Sequence, residues 1–297
     1  MEENLFGASL SVKQCRNFGI NDLEVLKAAI TELHIKRFRL MSYWNEIEKS
    51  PGKYDFKYLD RQIRTVESYG GEVTLCLGVR QPRWPESHWP NWTEKVSQAK
   101  RNRDLIKFIK LTVNRYKDSS TISSWQLENE ALLKSFGEKG DFNRKRLIQE
   151  YELVKKLDPT RPLIMSTSTS WGIPLRNPIP DTVGFSYYRI THDNNEYRHS
   201  IYMPWVFSLR AFLINFIWRR PSFIHELQAE PWGPMNIWEM DAQEQAKSMN
   251  EDILASNIKA AIKTKLFPID FWGLEWWYWL KQNNDNDIWN KVKELTK

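Results

Sequence analysis

Cysteine is scarce in this 297-residue chain: only Cys15 and Cys76 occur, and Cys76 falls in an expected core strand. No disulfide framework is available to imply an oxidising compartment, which favours a reduced, cytoplasmic setting. The five histidines show no metal-ligand spacing, so no metal site is indicated. Export signals are missing as well, since Met1 to Phe6 lacks both a basic start and an apolar run. The most apolar stretch, 201–218, is interrupted by Pro204, Arg210 and Asn215, which argues against a spanning helix. Its rings (Trp205, Phe207, Phe212, Phe216, Trp218) suit an ordinary barrel helix or, as the lesser reading, contact with a membrane surface. The sequon Asn91-Trp92-Thr93 has no secretory context and reads as chance.

Low-complexity runs and Ser/Gly linkers are absent too, so nothing divides the chain. Its 41% hydrophobic and 27% charged residues fit a globular protein with a sizeable core. Net charge is +6, but the basic residues are dispersed, and the densest group (Lys100, Arg101, Arg103) reads as the solvated start of a helix. Nucleic acid is therefore not the expected partner. Aromatics are plentiful, with 15 Trp, 11 Tyr and 14 Phe, and large rings stack on sugars as readily as they fill cores.

Short β-rich runs alternate with helical periodicity, the pattern of parallel strands joined by crossover helices. Strands are predicted at 6–10, 35–41, 73–78, 122–130, 163–167, 182–188, 222–226 and 269–276. Leu23, Leu26, Ile30 and Leu33 mark one helical face, as do Phe56, Leu59, Ile63 and Val66 before Gly70-Gly71, and Leu147, Tyr151, Val154 and Leu157 before Asp158-Pro159. Pro174, Pro178 and Pro180 leave a loop or turn between the fifth and sixth strands. Eight such units make one α/β domain over 1–297, a (β/α)8 TIM barrel.

The chemistry is concentrated at two strand ends. Ser124-Trp125-Gln126-Leu127-Glu128-Asn129-Glu130 is an apolar strand ending in two carboxylates, and Phe223-Ile224-His225-Glu226 is a second such end. Strand C-termini face the side of a barrel where active sites are built. A glycosidase needs one carboxyl group to protonate the leaving oxygen and one to attack or to activate water. The chain between Glu130 and Glu226 holds three barrel units of about 32 residues, which puts them on the fourth and seventh strands.

Here the sequence resembles the clan of retaining glycoside hydrolases that includes the family 5 cellulases and mannanases and the family 42 β-galactosidases. Asn129-Glu130 is similar to that clan's Asn-Glu pair, and His225-Glu226 to its strand-seven nucleophile. Arg39-Leu40-Met41-Ser42-Tyr43-Trp44 with Glu48 and 51–56, Pro82-Arg83-Trp84-Pro85, and Tyr187-Tyr188 resemble its strands two, three and six. The resemblance covers essentially the whole chain. It implies cleavage of β-glycosidic bonds in an oligo- or polysaccharide without a cofactor, with Glu130 as acid/base, Glu226 as nucleophile, and Asn129 on the sugar 2-hydroxyl.

Several residues keep two readings. Glu128 shares strand parity with Glu130, so it points inward to be neutralised by Arg39, unless Arg39 contacts substrate itself. Tyr188 either packs or donates to Glu226. Trp84, Trp89 and Trp92 are sugar platforms or loop packing, and Trp276 is slightly favoured over Trp272 as the floor of the cleaved subsite. Glu230 has the parity of Glu226, but Pro231 argues against a strand reaching it, so it sits on a loop as a clamp for sugar hydroxyls or a partner for a basic residue. A barrel that binds carbohydrate without cleaving it is the alternative function.

Overall fold

The computed structural model describes residues 5–131, 133, 143–170 and 172–296, so part of the N-terminal run read for export signals lies outside the described residues. Eight parallel strands close into a barrel: β1 (Phe6–Leu10), β2 (Arg37–Met41), β3 (Glu72–Leu77), β4 (Ile122–Leu127), β5 (Leu163–Thr167), β6 (Thr182–Tyr187), β7 (Ser222–Gln228) and β8 (Ile269–Trp272). Closure is direct, because β1 pairs with β2 on one side and β8 on the other. The (β/α)8 expectation thus holds strand by strand.

The helices form where the apolar spacing placed them. Asn21 caps the helix Asp22–Glu32 by accepting from the N–H groups of Leu23 and Glu24, and its Leu26 and Ile30 are buried against the barrel. The helix Lys57–Ser68 buries Leu59, Ile63 and Val66, and Gly70, at φ 66°, ends it. The helix Arg144–Leu157 stops at Asp158 as expected. No helix is seen between β5 and β6 among the described residues. The aromatic stretch is the barrel helix Pro204–Trp218, and no described helix is long and apolar enough to cross a membrane. An antiparallel hairpin, Ile190–Asp193 with Glu196–His199, follows β6 and was not foreseen.

Three strand ends differ from expectation by two residues or more, and each difference moves a site residue. β7 continues to Gln228, so Glu226 lies within the strand instead of at its last position. β4 stops at Leu127, after which Glu128 and Glu130 take left-handed φ values of 47° and 44°. The strand read to Trp276 ends at Trp272, where Gly273 (φ 145°) turns the chain into the helix Leu274–Gln282. A Cβ at Gly273 would stand 2.5 Å from the Ala229 carbonyl oxygen, so the turn needs glycine twice over.

Gly273→Ala is therefore expected to destabilise the fold by at least about 2 kcal/mol in a denaturant titration. Gly172→Ala, where the nearest atom to an added Cβ is 4.0 Å away, should change little. Equal midpoints for the two variants would contradict the account of the turn.

Candidate active site

The barrel interior is polar at its centre. Arg39 on β2 is fully buried; its Nε donates to Ser9 Oγ at 2.8 Å, and one terminal nitrogen donates to Gln126 Oε1 at 3.3 Å and to Glu226 Oε1 at 2.8 Å. These bonds cross the barrel from β2 to β4 and β7. Beneath them His225 lies 2.8 Å from Gln126 Oε1 through Nε2 and 2.6 Å from Asp270 through Nδ1. Burial, and then Arg39, lower the His225 pKa to about 4, against the bond to Asp270, which favours the proton. Burial works against the Asp270 anion, yet Arg37 and the His225 bond hold its carboxyl below the ordinary value.

The arginine partner expected for Glu128 is thus elsewhere. Arg39 pairs with Glu226, whereas Glu128 accepts from the backbone N–H groups of Val79 and Arg80, with Arg146 at 3.8 Å. The physical reason is the left-handed turn at Glu128: strand parity holds only inside the ladder, and the ladder ends one residue earlier.

Glu130 and Glu226 meet at one hydroxyl. Ser186 Oγ donates within 3.0 Å of Glu130 Oε1 and 3.3 Å of Glu226 Oε2, while the Tyr188 hydroxyl reaches Glu226 Oε2 at 3.3 Å. The register between β6 and β7 shifts between Phe185 and Ser186, and this step sets Ser186 opposite Glu226. Glu130 is further positioned by its own N–H, which donates to Ser166 Oγ at 2.8 Å. Burial first, then the charge of Glu226, push the Glu130 pKa up to about 7, against the Ser186 bond and the more distant Arg80 and Arg39.

A third carboxyl group adjoins the pair. Asn129 Oδ1 accepts from Gln126 and Ser166, and Asn129 Nδ2 donates to Glu86 Oε2 at 2.8 Å. Burial raises the Glu86 pKa to about 8; the Asn129 bond opposes this and the charges of Glu226 and Glu130 add to it. Neither Glu86 nor Ser186 was singled out from the sequence. Ser186 shares β6 parity with Tyr188, a signal that a short polar side chain makes easy to pass over.

At the mouth, Arg83 ties three chain segments together. Its guanidinium bonds both oxygens of Glu230, donates to Glu275 Oε2 at 2.9 Å, and stacks 4.0 Å from the centre of the Trp272 ring. Glu230 is therefore a buried partner for a basic residue, one of its two expected roles. Trp276 is not at the mouth: it is 2% exposed, one turn into the helix after β8, with Nε1 donating to Gln245. The early end of β8 gives the mouth position to Trp272. Trp84 stands 78% exposed on the loop after β3, whereas Trp89 and Trp92 pack around Trp44. Trp232, half-buried beyond Glu230, meets Tyr188 edge-on at 5.4 Å and was also missed.

The raised pKa of Glu86 has a thermodynamic consequence. The folded protein holds this proton more tightly than the unfolded chain, so stability is full below about pH 4.5 and falls as pH rises through about 8. Glu86→Gln keeps an acceptor for Asn129 and removes the titration. The variant should match the parent's Tm at low pH and exceed it above pH 8; a parallel pair of Tm curves across the range would refute the shift.

Comparison with known proteins bears on the fold and on residues 21–160. Residues 21–160 match the model of glycoside hydrolase family 42, described as beta-galactosidase. The beta-galactosidase Bga of Halorubrum lacusprofundi is 22% identical over 121 residues, covering 35% of this chain and 17% of that protein. Its solved counterpart from the same haloarchaeon superposes with a TM-score of 0.61 at 13% identity, over 90% of this chain and 52% of the other. An exo-beta-1,4-mannosidase from Opitutaceae bacterium strain TAV5 gives 0.64 at 12% identity, over 98% and 58%. A GH5_18 structure from Streptomyces cattleya in complex with GlcNAc gives 0.60 at 13%, over 90% and 70%. At these identities the structural likeness is one of fold, and the chain spans about half the length of the first two solved relatives. The fold is thus that of the (β/α)8-barrel glycoside hydrolases, and residues 21–160, just under half of the chain, are similar to family 42.

Proposed function

We propose that this chain hydrolyses β-glycosidic bonds with retention of configuration, with Glu226 as nucleophile and Glu130 as acid/base. The observation that carries the reading is the hydroxyl of Ser186 shared by both carboxylates. Contacts of 3.0 and 3.3 Å laid end to end fall short of the roughly 6.5 to 9.5 Å that an inverting pair leaves for a water molecule. The environments also divide the roles. Glu226 has Arg39 as counter-ion and Tyr188 as hydrogen-bond donor, which suits a carboxylate that attacks. Glu130 has no ion pair among the described residues, and burial near another carboxylate suits a group that carries a proton close to neutrality.

In the first step Glu226 attacks the anomeric carbon while Glu130 protonates the departing oxygen; in the second Glu130 takes a proton from water, which displaces Glu226. Asn129 has two amide hydrogens, and Glu86 uses one, so the other is available to a sugar hydroxyl. Trp84 has the exposure of an outer sugar platform. The family and structural relatives, named as β-galactosidases and a β-mannosidase, support galactose- or mannose-type β-glycosides as the substrate class, with glucose-type β-glycosides kept from the sequence reading.

Proton NMR of the first product released from an aryl β-glycoside should show the β-anomer. Initial appearance of the α-anomer would overturn the double displacement, and absence of turnover across galactosides, glucosides and mannosides would overturn the enzyme reading.

Glu130→Ala should lose about a hundredfold or more in kcat on substrates with poor leaving groups, and far less where the leaving group needs no proton. In the parent enzyme the alkaline limb of kcat/KM should fall near pH 7, as Glu130 gives up the proton that it must donate. Equal losses on both substrate classes would contradict the role.

A further inference from the structure

The helix Pro204–Trp218 has an unusual division of faces. Val206, Phe207 and Ile214 pack toward the barrel, and Arg210, the only charged residue in the helix, also turns inward. Its guanidinium bonds the Gly172 carbonyl and Thr167 Oγ1 and stacks 4.4 Å from the Phe185 ring. The outward face is left without charge. Trp205, Leu209, Phe212 and Phe216 follow each other at 4, 3 and 4 residues, one stripe of the helix, and Trp205, Phe212 and Phe216 are each more than 60% exposed. Ile201 and Met203 extend the exposed apolar surface past the helix start. A contiguous patch of this kind on the outside of a barrel helix marks a contact surface.

A groove of about 620 Å³ opens beside the same helix end. Trp205 and Tyr202 line one part of it and Arg189, Lys259 and Lys263 another, and none of its described lining residues is an Asp or Glu. Lys259 and Lys263 are exposed and have no ion pair among the described residues. Among the described residues the Arg189 guanidinium donates only to the neutral side chains of Ser256 and Asn257. An aromatic stripe flanked by uncompensated cations is the make-up of a helix that lies in the interface of an anionic bilayer, rings among the acyl chains and cations among the phosphates. A second copy of this chain docked across a two-fold axis would instead set the cations near their like.

We propose that the helix Pro204–Trp218 and its basic groove form a docking surface for an anionic lipid membrane. Tyr187 and Arg189, on either side of Tyr188, are among the residues that line the groove, so docking would bring this part of the barrel rim near the lipid interface. The surface is separate from the carboxylate pair, and its test reads binding rather than turnover.

The experiment is co-sedimentation of the whole chain with vesicles of equal parts phosphatidylcholine and phosphatidylglycerol, against vesicles of phosphatidylcholine alone. Binding is expected to the anionic vesicles only, and to weaken with added salt. Lys259→Gln with Lys263→Gln should weaken partitioning by about twenty-five-fold, at about fivefold for each cation. Phe212→Glu with Phe216→Glu should abolish it while far-UV circular dichroism melting stays at the parent value. If that pair fails to fold, the lysine pair still decides the matter. No binding to anionic vesicles, equal binding to both kinds, or binding indifferent to the substitutions would overturn the proposal. So would light scattering showing a dimer that the phenylalanine pair dissociates, which would assign the face to a second copy.

Discussion

A single buried cation organises the centre of this barrel. Arg39 has no side-chain exposure to solvent, so its guanidinium must find partners inside, and among the described residues the one carboxylate it reaches directly is Glu226. Removing a charge from water costs several kcal/mol, and the pairing across the barrel offsets that cost only if its geometry is kept. Ser9 and Gln126 hold the guanidinium from two other strands, and Gln126 is held by His225, which is fixed by Asp270. Five strands (β1, β2, β4, β7 and β8) therefore share one hydrogen-bond network, and Glu226 stands at its upper end. The network explains why the interior of β2, β4 and β7 is polar where a barrel core is ordinarily aliphatic.

The two carboxylates depend on that network in different ways. Glu226 is anchored through its charge, whereas Glu130 is anchored through its backbone N–H, which donates to the Ser166 hydroxyl, and through its carboxyl group, which accepts from the Ser186 hydroxyl. The difference follows from where the chain leaves the sheet. Glu226 sits within a strand that runs two residues further, while Glu130 lies three residues past the last ladder position, on a left-handed turn. Neutral donors around a buried acid leave its proton in place; a guanidinium would have drawn it off.

Much of this was legible in the sequence, because the signals concerned were periodic. Apolar spacing located the helices, and β-rich runs located the eight strands. Polar residues closing apolar runs singled out Glu130 and Glu226, as packing gives no reason for carboxylates there. What failed were readings that carried the strand rule past the strand. Parity assigned Glu128 to Arg39, and a strand read as far as Trp276 put that ring at the mouth, but Glu128 turns left-handed and Gly273 ends β8 before Trp276 is reached. Ser186 was invisible for another reason: its place opposite Glu226 is set by a register step between two strands, a property of the pair that neither strand's residues carry. The Glu230 alternative stayed open because its partner, Arg83, is remote in the chain.

That same Arg83 has a wider reach. It lies on the loop after β3, grips Glu230 beyond β7 and Glu275 after β8, and Glu275 in turn accepts from the N–H of Ser11 after β1 at 2.6 Å. Four loops of the mouth are thereby fastened to one guanidinium. In a barrel whose loops usually diversify one at a time, this rim is mechanically a single part. Evolutionary change in any of the four loops is felt by the other three, so new specificities here arise through matched sets of substitutions, and the order in which they are acquired is constrained.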